Sequence, residues 1–138
     1  MVIGVGNPTR GDDAAGLEVA RRLRKVESHQ QVGGSYELID LWDGADEVIL
    51  VDAARSGASA GTLHRFDASD RPLPGGVLAT STHSIGITET VEMARSLGRL
   101  PGRLVVYGIE VSDLTPGAPL SAPVASTVNR LAEELDHA

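Results

Sequence analysis

Residues 1–16 read MVIGVGNPTRGDDAAG, and this stretch decides the architecture. Met1 to Val5 is a short apolar run thinned by Gly4 and Gly6. A polar turn follows from Asn7 to Asp12, and an apolar helical pattern opens at Ala14. That order predicts a buried strand, a tight loop and a helix. The loop carries Arg10, Asp12 and Asp13 at the carboxyl end of a strand, where open α/β sheets place their active sites. Leu17, Ala20, Leu23 and Val26 recur at helical spacing, which predicts a helix from about Asp13 to Val26. Asp12 and Asp13 can cap the free N–H groups at its start, or serve chemistry there. The glycines of GVGN permit a tight turn and close backbone approach.

Outward from this opening, Glu47 to Ala53 reads EVILVDA, a continuous apolar strand that closes on Asp52. Such a run suits a central parallel strand covered on both faces. Arg103 to Ile109, RLVVYGI, is a second one, followed by Glu110. Between them Thr62 to Phe66 alternates as a short strand. Its link from the Val48–Asp52 strand is too short for a crossover helix, which predicts that these two pair antiparallel. Ile87, Val91 and Ala94 form one stripe of a helix over about Ile85 to Leu97, with Gly98 as its C-cap. His83 falls at or just before the N-terminus of that helix, where the dipole disfavours a charged imidazole. The neutral ring is the form that binds metal or acts as a base. Ser121 is placed to cap a last helix whose buried stripe is Val124, Val128, Leu131 and Leu135. His29 to Gly34 reads as a loop, and Tyr36 to Trp42 as a short strand running into a helical turn. Helices separate the three long strands. The expected fold is therefore α/β: one domain over residues 1–138, a three-layer sandwich whose twisted sheet is mostly parallel with one antiparallel strand and helices on both faces.

Composition narrows the function. The 138 residues are 41% hydrophobic, as in a globular protein, and no apolar run approaches the roughly 18 residues of a membrane span. Met1 runs straight into strand residues, which predicts no signal peptide and a cytoplasmic protein. The absence of cysteine excludes disulfides, thiolate zinc sites and a cysteine nucleophile. A net charge of -7 argues against bulk attraction to nucleic acid or an anionic membrane, and an aromatic content of 3% leaves little for base stacking.

Three groups stand where strands or loops end and helices begin: Asp13, Asp52 and His83. Two carboxylates and one imidazole form a mixed oxygen and nitrogen set suited to Ni²⁺, Zn²⁺, Fe²⁺ or Mn²⁺. Three protein ligands would leave coordination positions open to water or substrate. Other chemistries lack their motifs. No GxSxG elbow accompanies Ser56, Ser81 or Ser84, GVGN is not GxGxxG, and no GxxxxGK[ST] follows the first strand. Glu89 and Glu110 read as acid/base groups or as capping carboxylates.

The segments GVGNPTRGDDAAG, EVILVDA, GTLHRF, STHSIGITETVEMARSLG, LVVYGIE and PGAPLS resemble, in this order, the hydrogenase maturation proteases. These endopeptidases trim the large subunit of nickel-iron hydrogenases. The resemblance implies metal-binding roles for Asp13, Asp52 and His83, and a role for Asp12 in orienting the loop or assisting proton transfer. It implies Ni²⁺ supplied by the substrate, for which Zn²⁺ or Cd²⁺ stands in within crystals. The implied partner is the nickel-loaded large-subunit precursor, which loses a short C-terminal extension. Neither nucleic acid nor membrane is implied, and the protein is expected to act as a monomer. DDAAG here replaces the commoner DDGxG, and QVGGSYELIDLW lacks a DGGTxG-like segment. GVGNP also resembles the GLGNP opening of peptidyl-tRNA hydrolases. Those enzymes call for a histidine soon after the asparagine, whereas the first histidine here is His29. An esterase of that kind and a non-enzymatic metal- or partner-binding domain are the alternative readings.

Overall fold

The computed structural model describes residues 1–33, 36–78 and 86–137. Strand β1 is Val2–Gly6, followed by a 3-10 turn at Gly11–Ala14 and helix α1 at Ala15–Arg22. Then come β2 (Ser28–Val32), α2 (Glu37–Leu41), β3 (Glu47–Ala54), β4 (Leu63–Asp67), α3 (Ile87–Ser96), β5 (Arg103–Glu110) and α4 (Ala122–Asp136). The strands form one five-stranded sheet in the order β2-β1-β3-β5-β4. All neighbours are parallel except β4 and β5. The three long apolar segments thus lie side by side and point the same way, as their helical crossovers require.

Strand alternation sends side chains to two apolar layers. Ile3, Val5, Val48, Leu50, Leu104 and Val106 pack beneath α2 and α3, with Trp42, Ile87 and Val91. Val2, Val51 and Ile109 pack beneath α1 and α4, with Val19, Leu23, Val128 and Leu131. The stripes expected on α3 and α4 are the buried ones. Helix α1 packs directly onto the sheet backbone at two glycines. A Cβ on Gly4 would strike the Gly16 carbonyl, and one on Gly16 would strike the carbonyls of Val5 and Val51. Only hydrogen at these positions lets helix and strand backbones touch.

Four expectations are corrected. Helix α1 stops at Arg22, with Leu23 already extended. The Asp136 carboxylate accepts the N–H groups of Arg24 and Lys25 at 2.9–3.0 Å, which holds this backbone in a non-helical path. Leu23 still packs in the core, so its helical spacing marked burial and not helix. Second, the segment read as a loop from His29 holds β2, paired in parallel with β1 from Ser28 to Val32. Its polar sequence is tolerated because an edge strand exposes much of its surface. Third, Tyr36 to Trp42 contains no strand. Tyr36 caps helix α2, and Trp42 is buried with its indole N–H donating to the Arg99 carbonyl at 3.0 Å. Fourth, β4 is antiparallel but pairs with β5, not with β3. RLVVYGIE is apolar enough to be covered on both faces, so it takes the slot beside β3. The mixed LHRFD is left at the edge.

Candidate active site

The chain leaves β1 outward to β2 and then returns to the other side of β1 as β3. The loops following β1 and β3 therefore diverge, opening a crevice at the carboxyl ends of the sheet. Asp13 belongs to the 3-10 turn after β1, and Asp52 to the end of β3. The turn is held close by Gly6. The Asp13 carbonyl accepts the Asn7 N–H at 3.2 Å, and a Cβ on Gly6 would collide with that same carbonyl. Asn7 stiffens the approach by accepting the N–H and hydroxyl of Thr9 at 3.0 and 2.8 Å.

Asp52 is buried at 4% exposure and accepts the Ala53 N–H at 2.8 Å. Burial pushes its pKa well above the carboxylate range. That backbone bond lowers it in part, and the negative charge of Asp13 raises it further. Asp13 is itself raised by burial, against the lowering fields of Arg10 and Arg55. Asp52 thus feels the charge of Asp13, and the Asp13 carboxylate accepts no hydrogen bond from any described residue. Two carboxylates with a single hydrogen-bond donor between them among the described residues stand near one another. The third group expected from sequence, His83, lies outside the described residues. Among the described residues no group of three His, Asp or Glu side chains is gathered as a metal site.

Asp12 behaves differently from its neighbour. It is fully buried, and its carboxylate accepts the backbone N–H groups of Ser112, Asp113 and Ser121 at 2.7–2.9 Å and the Ser121 hydroxyl at 2.8 Å. Burial raises its pKa, but these donors outweigh it and hold the carboxyl below its usual range. Neither Asp12 nor Asp13 caps a helix through its side chain, and Ser121 turns its hydroxyl to Asp12 in place of the first turn of α4. Asp12 ties the loop after β1 to the loop after β5.

Glu110 does the same on the other side. It is buried at the end of β5 and accepts the Ser56 hydroxyl at 2.6 Å, the Ser56 N–H at 2.9 Å and a bond with His64 Nε2 at 3.0 Å. Burial raises its pKa, while Ser56, His64 and the Gly57 backbone bring it below the ordinary value. Ser56, His64 and Glu110 are not a hydrolytic triad, because the serine hydroxyl donates to the carboxylate and leaves no activated oxygen. Arg55 and this Glu110 assembly escaped sequence reading. The one signal was a carboxylate closing an apolar strand, which does not say what the carboxylate holds.

A mostly parallel sheet with Asp13 and Asp52 in the crevice at its switch point defines an α/β protein whose candidate site lies at the carboxyl ends of β1 and β3. Comparison with known proteins narrows it. A family model described as hydrogenase maturation protease matches residues 20–137. The hydrogenase expression/formation protein HupD of Bradyrhizobium diazoefficiens is 29% identical over 136 residues, covering 93% of this chain and 71% of that one. The hydrogenase 2 maturation protease of Escherichia coli is 26% identical over 146 residues, covering 98% and 87%. Among solved structures, the E. coli hydrogenase maturating endopeptidase HybD superposes with a TM-score of 0.77 at 22% identity, covering 97% of this chain and 87% of that one. At that identity the likeness is one of fold. The chain belongs to the hydrogenase maturation protease family.

Proposed function

We propose that this protein removes a short C-terminal extension from the nickel-loaded large-subunit precursor of a nickel-iron hydrogenase, with Asp13, Asp52 and His83 engaging the precursor's nickel. The observation that supports this reading is the pair of carboxylates after β1 and at the end of the adjacent β3, Asp52 buried and feeling the charge of Asp13, and the Asp13 carboxylate without a hydrogen-bond donor among the described residues. Oxygen and imidazole donors alone hold nickel weakly, and the precursor's thiolates supply the softer ligands. The site would thus discriminate a loaded precursor from an empty one. Burial disfavours the ionised Asp52 that a metal would engage, so engagement is expected to weaken as pH falls. Asp12 acts as a positioning residue, since its oxygens are already committed to the 112–121 segment.

The test mixes purified protein with precursor, with and without nickel, and follows product mass. Loss of the extension from nickel-loaded precursor alone is expected, and Asp52→Ala or His83→Ala should stop it with the fold intact by circular dichroism. Equal cleavage of nickel-free precursor would overturn nickel recognition. No cleavage of a demonstrably loaded cognate precursor would leave a binding-only role, and release of peptide from peptidyl-tRNA would select the esterase.

A further inference from the structure

Between the loops after β3 and β5 lies a cleft of about 330 Å³, at the lower end of the range for ligand pockets. Arg55 and Ala58 line one side, Val111, Ser112 and Leu114 the other. Each wall is an exposed loop fixed from below by a buried carboxylate. Glu110 holds Ser56, and the Arg55 N–H donates to the Val77 carbonyl at 2.7 Å. Asp12 holds Ser112 and Asp113. The backbone around Arg55 is therefore fixed, yet its exposed guanidinium makes no hydrogen bond or close ion pair with any described residue. Its field lowers the pKa of Asp13, which places it on the Asp13 side of the crevice.

A cation on a fixed stretch of backbone, with its guanidinium donors unengaged among the described residues and lining a polar cleft, is suited to carbonyl oxygens. We propose that this cleft is the subsite for an extended peptide segment of the precursor, with Arg55 donating to one of its backbone carbonyls. A strongly acidic ligand is disfavoured by Asp13 and Asp52 and by the net charge of -7. The proposal rests on the reading of the protein as a peptidase and adds where the substrate chain lies.

The test uses the full chain with labelled, nickel-loaded precursor, measuring cleavage kinetics together with binding by fluorescence anisotropy. Arg55→Ala should raise KM and Kd about tenfold, the loss of one charge-assisted bond, with kcat little changed. Arg55→Lys should recover part of the loss, Ala58→Trp should block the cleft, and Arg24→Ala should behave as wild type. Thermal melting of each variant verifies the fold, since both altered side chains are exposed. Unchanged KM and Kd in Arg55→Ala and Ala58→Trp would overturn the subsite and leave the peptidase standing. A fall in kcat at constant KM would also overturn it, because a ground-state contact must appear in binding. Arg55-dependent binding by a wild-type protein that does not cleave would retain the subsite and overturn the peptidase. A wild type that neither binds nor cleaves overturns both.

Discussion

Asp52 shows what burial costs a carboxylate. Its folded-state pKa lies above the unfolded one, so the ionised form is disfavoured in the fold. The cost is largest at neutral pH and above, and shrinks as pH falls toward the unfolded value of about 3.9. Asp52→Asn keeps an oxygen for the Ala53 N–H and removes the ionisable group. Metal-free Asp52→Asn should therefore melt higher than wild type at pH 7, by about 3–5 °C per kcal/mol gained, while processing is lost. Calorimetry at pH 7 and pH 4 would check this, because the gain should diminish at the lower pH. The placement of Asp13 after β1 and of Asp52 near the end of β3 was legible in the sequence, because each lies at the carboxyl end of an apolar run. Arg55 was not, since an arginine in a small-residue turn has no pattern that distinguishes it from surface.

At the level of elements, the position of Asp13 depends on what Gly6 lacks. A methyl at residue 6 would meet the Asp13 carbonyl, so Gly6→Ala must push the 3-10 turn off the strand. The expected result is a loss of about 1–3 kcal/mol by overpacking, and a larger fall in processing than that loss alone explains. Urea titration beside the cleavage assay would separate the two effects. An activity reduced only in proportion to the unfolded fraction would show that Asp13 is placed by other means. The close approach of backbones was readable from GVGN, as was the direction of the three long strands. Strand β2 was not, because SHQQV carries no apolar alternation and owes its form to β1. The partner of β4 was misread for a related reason. Chain proximity favoured β3, but the apolar content of β5 won that place.

Across the whole molecule, acid stability should follow the two clamping carboxylates. Asp12 and Glu110 have folded pKa values below their unfolded ones. Their contribution is present above the unfolded values of about 3.9 and 4.3 and is lost as pH falls through the folded ones. Asp12→Asn and Glu110→Gln should each cost about 1–3 kcal/mol at pH 7 and make stability less steeply dependent on pH below about 4. Thermal unfolding from pH 3 to pH 7 would check it, and parallel curves for wild type and Glu110→Gln would contradict it. The architecture was legible as a whole because βα order and apolar run length constrain a sheet strongly. The clamps were not, because their partners stand far apart in the chain: residue 12 with 112, 113 and 121, and residue 110 with 56 and 64.

The carboxylate-anchored loops also bear on the thermodynamics of capture. A protein that orders its loops around a guest must surrender conformational entropy on association, about 0.5–1.5 kcal/mol for each side chain immobilised. Here much of that ordering is completed during folding, by Asp12 and Glu110. For the peptide segment proposed to enter the cleft, the entropy lost on docking would then fall mainly on the guest.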